Sequence, residues 1–169
     1  MKKIGIFYGS STGNTEYIAK LIAKKLGVES SDIFDVAKAD VAKLSNYDIL
    51  FFGSSTLSLG ELQDDWDSFI DQVKKADLKG KKVAVFGLGD GASYSDTFCD
   101  AIGIIVKASV GGGATLIGNK VNTADYTFDD SAAIEDGYFC GLPLDEDNES
   151  DQTESRVDFW LSQLQSELS

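Results

Sequence analysis

Apolar positions along the chain switch repeatedly between two periods. Continuous apolar runs occupy residues 4–8, 33–36, 49–52, 83–86 and 115–118, and a further apolar segment lies at 138–142. Runs that are continuous rather than alternating predict parallel strands covered on both faces. The stretches between them carry helical stripes. Ile18, Ile22 and Leu26 recur at i, i+4, i+8, and Trp66, Phe69, Ile70 and Val73 at i, i+3, i+4, i+7. Phe98, Ala101, Ile102, Ile105 and Val106 form a third stripe, and Val157, Trp160, Leu161, Leu164 and Leu168 a fourth. Both tryptophans therefore read first as core residues.

This alternation predicts a doubly wound three-layer α/β sandwich around a five-stranded parallel sheet. The irregular residues 119–137 lie between two apolar runs and read as an insertion that interrupts the last strand. With no linker, repeat or low-complexity tract in view, residues 1–169 are expected to form one domain.

Composition narrows the chemistry. The chain has 169 residues, and 43% hydrophobic content is enough for a real core. No segment approaches the roughly 18 apolar residues of a membrane span. The opening residues carry only a short apolar run broken by glycine and hydroxyls, so a cytoplasmic protein without a signal peptide is expected. The lack of histidine excludes Ser-His-Asp catalysis and His-ligated zinc together. Cys99 and Cys140, far apart and in no C-x-x-C pairing, read as reduced thiols. A net charge of −13 repels nucleic acid and anionic lipid and favours partners with basic docking faces.

In an open parallel sheet, ligands bind beyond the carboxyl ends of the strands, so the segments after each apolar run hold the candidate chemistry. After the first run comes Gly9-Ser10-Ser11-Thr12-Gly13-Asn14-Thr15, which opens a helix. Backbone N–H groups and the helix dipole there make an anion site without a cation, and the hydroxyls add donors. It is neither a Walker loop, which needs a lysine, nor the dinucleotide G-x-G-x-x-G. After the third run, residues 53–62 are polar, bounded by glycine, and present Leu57 and Leu59. After the fourth, residues 87–96 bring Gly87, Gly89 and Gly91, with Tyr94 as a flat ring at the tip. One loop can hold a terminal phosphate and two can clasp a flat ring, while no charged group is placed for nucleophilic attack. The combination describes a mononucleotide whose ring does the chemistry.

At this point the residues resemble the flavodoxin family. Ser10 to Thr15 is similar to its signature S/T-x-T-G-x-T. So are Gly60-Glu61-Leu62-Gln63 followed by Trp66, then Gly87, Gly89 and Asp90 with Tyr94, Asp100-Ala101-Ile102-Gly103, and Gly141-Leu142 with Leu144-Asp145-Glu146-Asp147. The similarity spans essentially the whole chain, and the 119–137 segment corresponds to the loop that marks long-chain members. The resemblance implies a low-potential one-electron carrier with non-covalent FMN. It also implies a monomer shuttling electrons between reductases and acceptor oxidoreductases rather than a stand-alone catalyst.

By the same resemblance the phosphate would rest on Ser10, Ser11, Thr12, Gly13, Asn14 and Thr15. The Ser55–Thr56 backbone and Asp147 would hold the ribityl chain. Tyr94 would stack on one face of the ring and Leu57 would cover the other, with Gly60 and Gly89 bounding the two ring loops. Backbone groups of Asp90, Thr97 and Cys99 would pair with the pyrimidine edge. The Ser58 carbonyl would accept the proton gained at N5, with the Leu59 N–H nearby, a conformation that often needs φ > 0 at Ser58. Carboxylates of Glu61, Asp90, Asp96, Glu146 and Asp147 would oppose negative charge on the reduced ring. One position departs from the pattern: Leu57 stands where most long-chain members have tryptophan, and leucine covers a ring without stacking on it.

Two rivals share the topology. A quinone or azo-dye reductase of flavodoxin-like fold would take hydride from a nicotinamide cofactor and needs room above the ring. A phosphoacceptor receiver would need an acidic pair at the end of the first run, where this chain has Phe7-Tyr8-Gly9.

Overall fold

The computed structural model describes residues 2–169 and lays the predicted apolar runs side by side. The first strands are β1 (Ile4–Gly9), the three-residue β2 (Ile33–Asp35), β3 (Ile49–Leu57) and β5 (Lys82–Leu88), with the short β4 (Glu61–Leu62) folded back on β3. The last strand position is shared by β6 (Thr115–Leu116) and β10 (Leu142–Leu144). Between those two lie β7 (Val121–Asn122), β8 (Ile134–Glu135) and β9 (Tyr138–Phe139). The helices are α1 (Asn14–Leu26), α2 (Asp64–Lys75), α3 (Asp100–Gly111) and α4 (Thr153–Leu164).

The main sheet runs β2-β1-β3-β5-β10, every neighbour parallel. This is the doubly wound order that flavodoxins themselves exemplify, and its direction reverses between β1 and β3. The continuous apolar runs follow from burial on both faces. In β1, Ile6 and Tyr8 face α1 and α4 while Phe7 faces α2 and α3. In β3, Ile49 and Phe51 take the first side, Leu50 and Phe52 the second; in β5, Ala84 and Phe86 oppose Val83 and Val85. The two tryptophans lock the layers together. Trp160 meets Phe51 edge-on at 5.7 Å, and Trp66 meets Phe52 at 5.5 Å. Trp66 Nε1 also donates to the Gly53 carbonyl at 2.8 Å, which satisfies its one polar atom.

The insertion has its own logic. β6 pairs with Lys82 and Val83, and β10 pairs with Phe86, Gly87 and Leu88, so the two halves flank the same strand. The 138–142 segment expected as one strand is divided. Tyr138–Phe139 belongs to an antiparallel sheet ordered β7-β9-β8, and the parallel strand resumes only at Leu142. The cause is the turn at Asp136 (φ 53) and Gly137 (φ 84), a two-residue reversal with both central residues left-handed. Phe139 owes its apolar character to a local cluster with Phe98, Tyr126 and Phe128 rather than to the main sheet.

Arg156 fastens this insertion to α4. Its guanidinium lies 4.0 Å from the Tyr126 ring centroid, donates to the Asp125 carbonyl at 2.7 Å and pairs with Glu149 at 3.3 Å. Tyr126 in turn donates to the Pro143 carbonyl at 2.8 Å, tying the insertion to β10. The arginine side chain is 11% exposed, so these contacts are poorly screened. Arg156→Ala should cost about 2–3 kcal/mol of stability, read as a lower denaturant midpoint with unchanged slope.

Candidate functional site

The parallel sheet brings the ends of β1, β3 and β5 to one edge, and the three predicted loops meet there. After β1, the chain turns at Gly13 (φ 94), and α1 begins with no side chain capping its N-terminus. The Gly13 N–H donates to Ser10 Oγ at 3.1 Å. Ser11, Thr12 and Asn14 are exposed, Ser10 is half-buried, and Thr15 is buried against the core. The loop carries no charged side chain, and the first carboxylate after it, Glu16, is neutralised locally. Lys20 at 3.0 Å, with the Tyr8 hydroxyl, holds Glu16 below the ordinary carboxylate range. The donor set of backbone N–H groups, hydroxyls and a helix dipole matches a phosphate monoester.

The floor beneath this loop comes from α2. Gln63 is buried at the start of that helix, where its side-chain oxygen accepts the Asp65 N–H at 3.0 Å. Its amide nitrogen reaches Ser11 Oγ at 3.1 Å. Gly9 makes this approach feasible, since a Cβ there would overlap Gln63 Oε1 and lie 2.5 Å from Trp66 Cδ1.

After β3, the chain doubles back into β4 through a tight turn. The Gly60 N–H donates to the Leu57 carbonyl at 3.1 Å, with Ser58 at φ 43 and Gly60 at φ 96. Ser58 thus already occupies the left-handed region. Leu59 projects into solvent at 81% exposure, whereas Leu57 is half-buried, as are Ser55 and Thr56. The turn is braced by α3: Thr56 Oγ1 accepts the Ala101 N–H at 3.2 Å. Asp100 fits so closely against Gly60 that a Cβ there would lie 2.6 Å from its Oδ2. Asp100 also accepts the Ala132 N–H at 2.7 Å, and burial, then Asp130, raises its pKa.

After β5, Asp90 organises the loop. Its carboxylate accepts the Ser93 N–H at 2.9 Å, the Ala92 N–H at 3.1 Å and Asn148 Nδ2 at 2.8 Å. The Ser93 N–H and then Asn148 pull its pKa down. Tyr94 stands at the tip, 47% exposed, its N–H bonded to the Asp90 carbonyl. The Thr97 N–H is spent on the Tyr94 carbonyl at 3.3 Å, so that donor is taken within the loop. Gly89 packs against Cys99, whose N lies 2.8 Å from where a Cβ on that glycine would sit. Cys99 is wholly buried with φ 54, and burial raises its thiol pKa well above the ordinary value, so the thiol is not a nucleophile.

Two residues without a role in the sequence reading join these loops. Asp145, buried at the end of β10, accepts the Gly91 N–H at 3.0 Å and the Asn148 N–H at 3.0 Å. Asn148 bridges Asp145 to Asp90. Asp147 projects beside them, exposed, its pKa raised by burial and then by Asp90 and Asp145. Asp145 stood in a quoted motif, but only the fold reveals its contact with Gly91, and no local signal marks it. Clefts also exist elsewhere, about 580 Å³ beside Lys107 and Lys120 and about 940 Å³ beside Lys2 and Lys25. Neither contains the converging loops described here.

Known proteins place this arrangement. The family model for flavodoxin matches residues 6–160. A flavodoxin from Synechocystis sp. is 48% identical over 165 residues, covering 97% of this chain and 96% of that protein. A flavodoxin from Nostoc sp. is 45% identical over 168 residues, covering 99% and 98%. Among solved structures, a Fusobacterium nucleatum flavodoxin bound to flavin mononucleotide superposes with a TM-score of 0.90 at 29% identity, covering all of both chains. A point variant of it, also bound to flavin mononucleotide, gives 0.91 at 30% identity, covering 100% of this chain and 98% of that one. With the family model, the sequence relatives and the whole-chain superpositions in agreement, this chain belongs to the flavodoxin family.

Proposed function

We propose that the protein is a one-electron carrier that works through non-covalently bound FMN, and that residues 1–169 act as one cytoplasmic, monomeric domain. The observation that carries this reading is the cation-free donor loop after β1, set beside two glycine-bounded loops at the same sheet edge. The donor set suits a phosphate, and Tyr94 with Leu57 suits a flat ring between them. When bound, FMN supplies the redox chemistry by taking up and giving up single electrons.

The chain's residues do the rest. Ser10, Ser11, Thr12, Gly13, Asn14 and Thr15 hold the phosphate through N–H and O–H groups. Ser55, Thr56 and Asp147 orient the ribityl chain, while Leu57 and Tyr94 exclude water from the ring faces. Backbone of Asp90, Thr97 and Cys99 meets the pyrimidine edge; with the Thr97 N–H taken, only its carbonyl remains for this. The Ser58 carbonyl would accept a hydrogen bond from the flavin N5–H, and Leu59 and Gly60 shape its turn. Gly89 lets the neighbouring loop approach. Exposed Glu61, Asp96 and Asp147 ring this edge, which fits docking to redox proteins with basic faces. Among the described residues, no helix is long and apolar enough to cross a membrane.

The direct test is purification followed by a visible spectrum and FMN titration of the stripped protein. A flavin spectrum with tight rebinding is expected, and a protein that refuses added FMN would overturn the reading. Leu57→Trp should tighten FMN binding roughly 2–13-fold by adding a stacked aromatic. Asp147→Asn removes a carboxylate from the cofactor edge. It should make the second reduction easier, moving its midpoint upward by on the order of 20 mV at low salt.

A further inference from the structure

We infer that Gln63 sets the hydrogen-bond polarity of the phosphate loop: it occupies the acceptor side of the Ser11 hydroxyl and so commits that hydroxyl's proton to the phosphate. The inference rests on the FMN reading above and assigns a positioning role to a residue beneath the loop.

The orientation of the Gln63 amide is fixed from two sides. The Asp65 backbone N–H can only donate, and it meets Oε1 at 3.0 Å. The Asp65 carboxylate accepts from Nε2 at 2.8 Å. One Nε2 proton therefore goes to Asp65 and the other points at Ser11 Oγ, 3.1 Å away. Gln63 is only 2% exposed, so its amide is held by these protein partners rather than by bulk water. Its own backbone N–H is held by Ser54 Oγ at 3.2 Å, which anchors the residue to β3.

A serine hydroxyl has one proton and two lone pairs. With a donor already facing it from below, Ser11 gains nothing by turning its proton inward. The proton points out of the loop. Ser10 is treated alike, because its oxygen accepts the Gly13 N–H at 3.1 Å. Both hydroxyls are thereby turned into outward donors. A phosphate dianion offers only acceptors, and this loop has no cation to attract it at every rotamer. Hydroxyl orientation therefore counts directly toward affinity. A ligand ending in a hydroxyl gains much less, so Gln63 also favours FMN over riboflavin.

The experiment compares dissociation constants of FMN and riboflavin for the stripped protein, followed by flavin fluorescence. Gln63→Met keeps the side-chain length but removes the amide. It should weaken FMN about tenfold and leave riboflavin within about twofold. Gln63→Glu turns the donor into an acceptor that draws the Ser11 proton inward, and it should weaken FMN about a hundredfold. Where that carboxylate prevents folding, Gln63→Met decides alone. In a Ser11→Ala background, Gln63→Met should change the FMN-to-riboflavin ratio by less than about twofold, since the hydroxyl it orients is gone. Equal weakening of both ligands, an unchanged ratio, or a ratio loss as large without Ser11 would each overturn the inference. If wild-type protein binds riboflavin or FMN equally weakly, the carrier reading falls first and this inference with it.

Discussion

Holding a doubly charged phosphate on an acidic protein without any cation is the constraint on which the rest of the arrangement depends. The chain has a net charge of −13, yet residues 9–15 carry no charged side chain. In the proposed binding mode, attraction comes from oriented dipoles: the start of α1 and the hydroxyls of the loop. Dipoles work only when aimed, because their field falls off and changes sign with rotation. The support beneath the loop is accordingly rigid. Gly9 admits Gln63 and Trp66 into contact with β1, and Trp66 is itself bonded to Gly53 of β3. The neighbouring carboxylate Glu16 is paired off by Lys20 and Tyr8.

The ring side of the site follows the opposite rule. There, among the described residues, Asp90, Asp100 and Asp147 have no cationic partner. Asp90 is held as a carboxylate by N–H donors, and Asp147 and Asp100 have raised pKa values because burial and nearby acids oppose their charge. Where Asp147 and Asp100 resist their own negative charge, another one on a reduced ring is resisted too. In the proposed binding mode, phosphate and ring meet two electrostatic designs a few residues apart, one aimed at accepting charge and one at discouraging it.

Much of this was legible in the chain. The continuous runs announced strands buried on both faces, and the loops after them do meet at one sheet edge because a parallel sheet gathers its strand ends. The insertion was visible as a gap in periodicity, but Tyr138 and Phe139 looked like main-sheet residues. Nothing local distinguishes a small aromatic cluster under a hairpin from a strand in the central sheet. Gln63, Asp145 and Asn148 escaped assignment for a related reason. Their bonds to Ser11, Gly91 and Asp90 join positions 52, 54 and 58 residues apart, and such partners are set by topology rather than by spacing.

The split outer strand has a consequence for how chain length can vary. β6 ends opposite Val83 and β10 begins opposite Phe86, so the departing and returning ends of the 117–141 excursion sit almost in line along β5. Whatever lies between them closes on itself, and closure entropy grows only slowly with length. The excursion can therefore lengthen, shrink or be exchanged for a short connector while the registry of the central sheet stays put. That makes this edge the natural place for graft or deletion, with Arg156 and Tyr126 as the latch that any replacement must reproduce or do without.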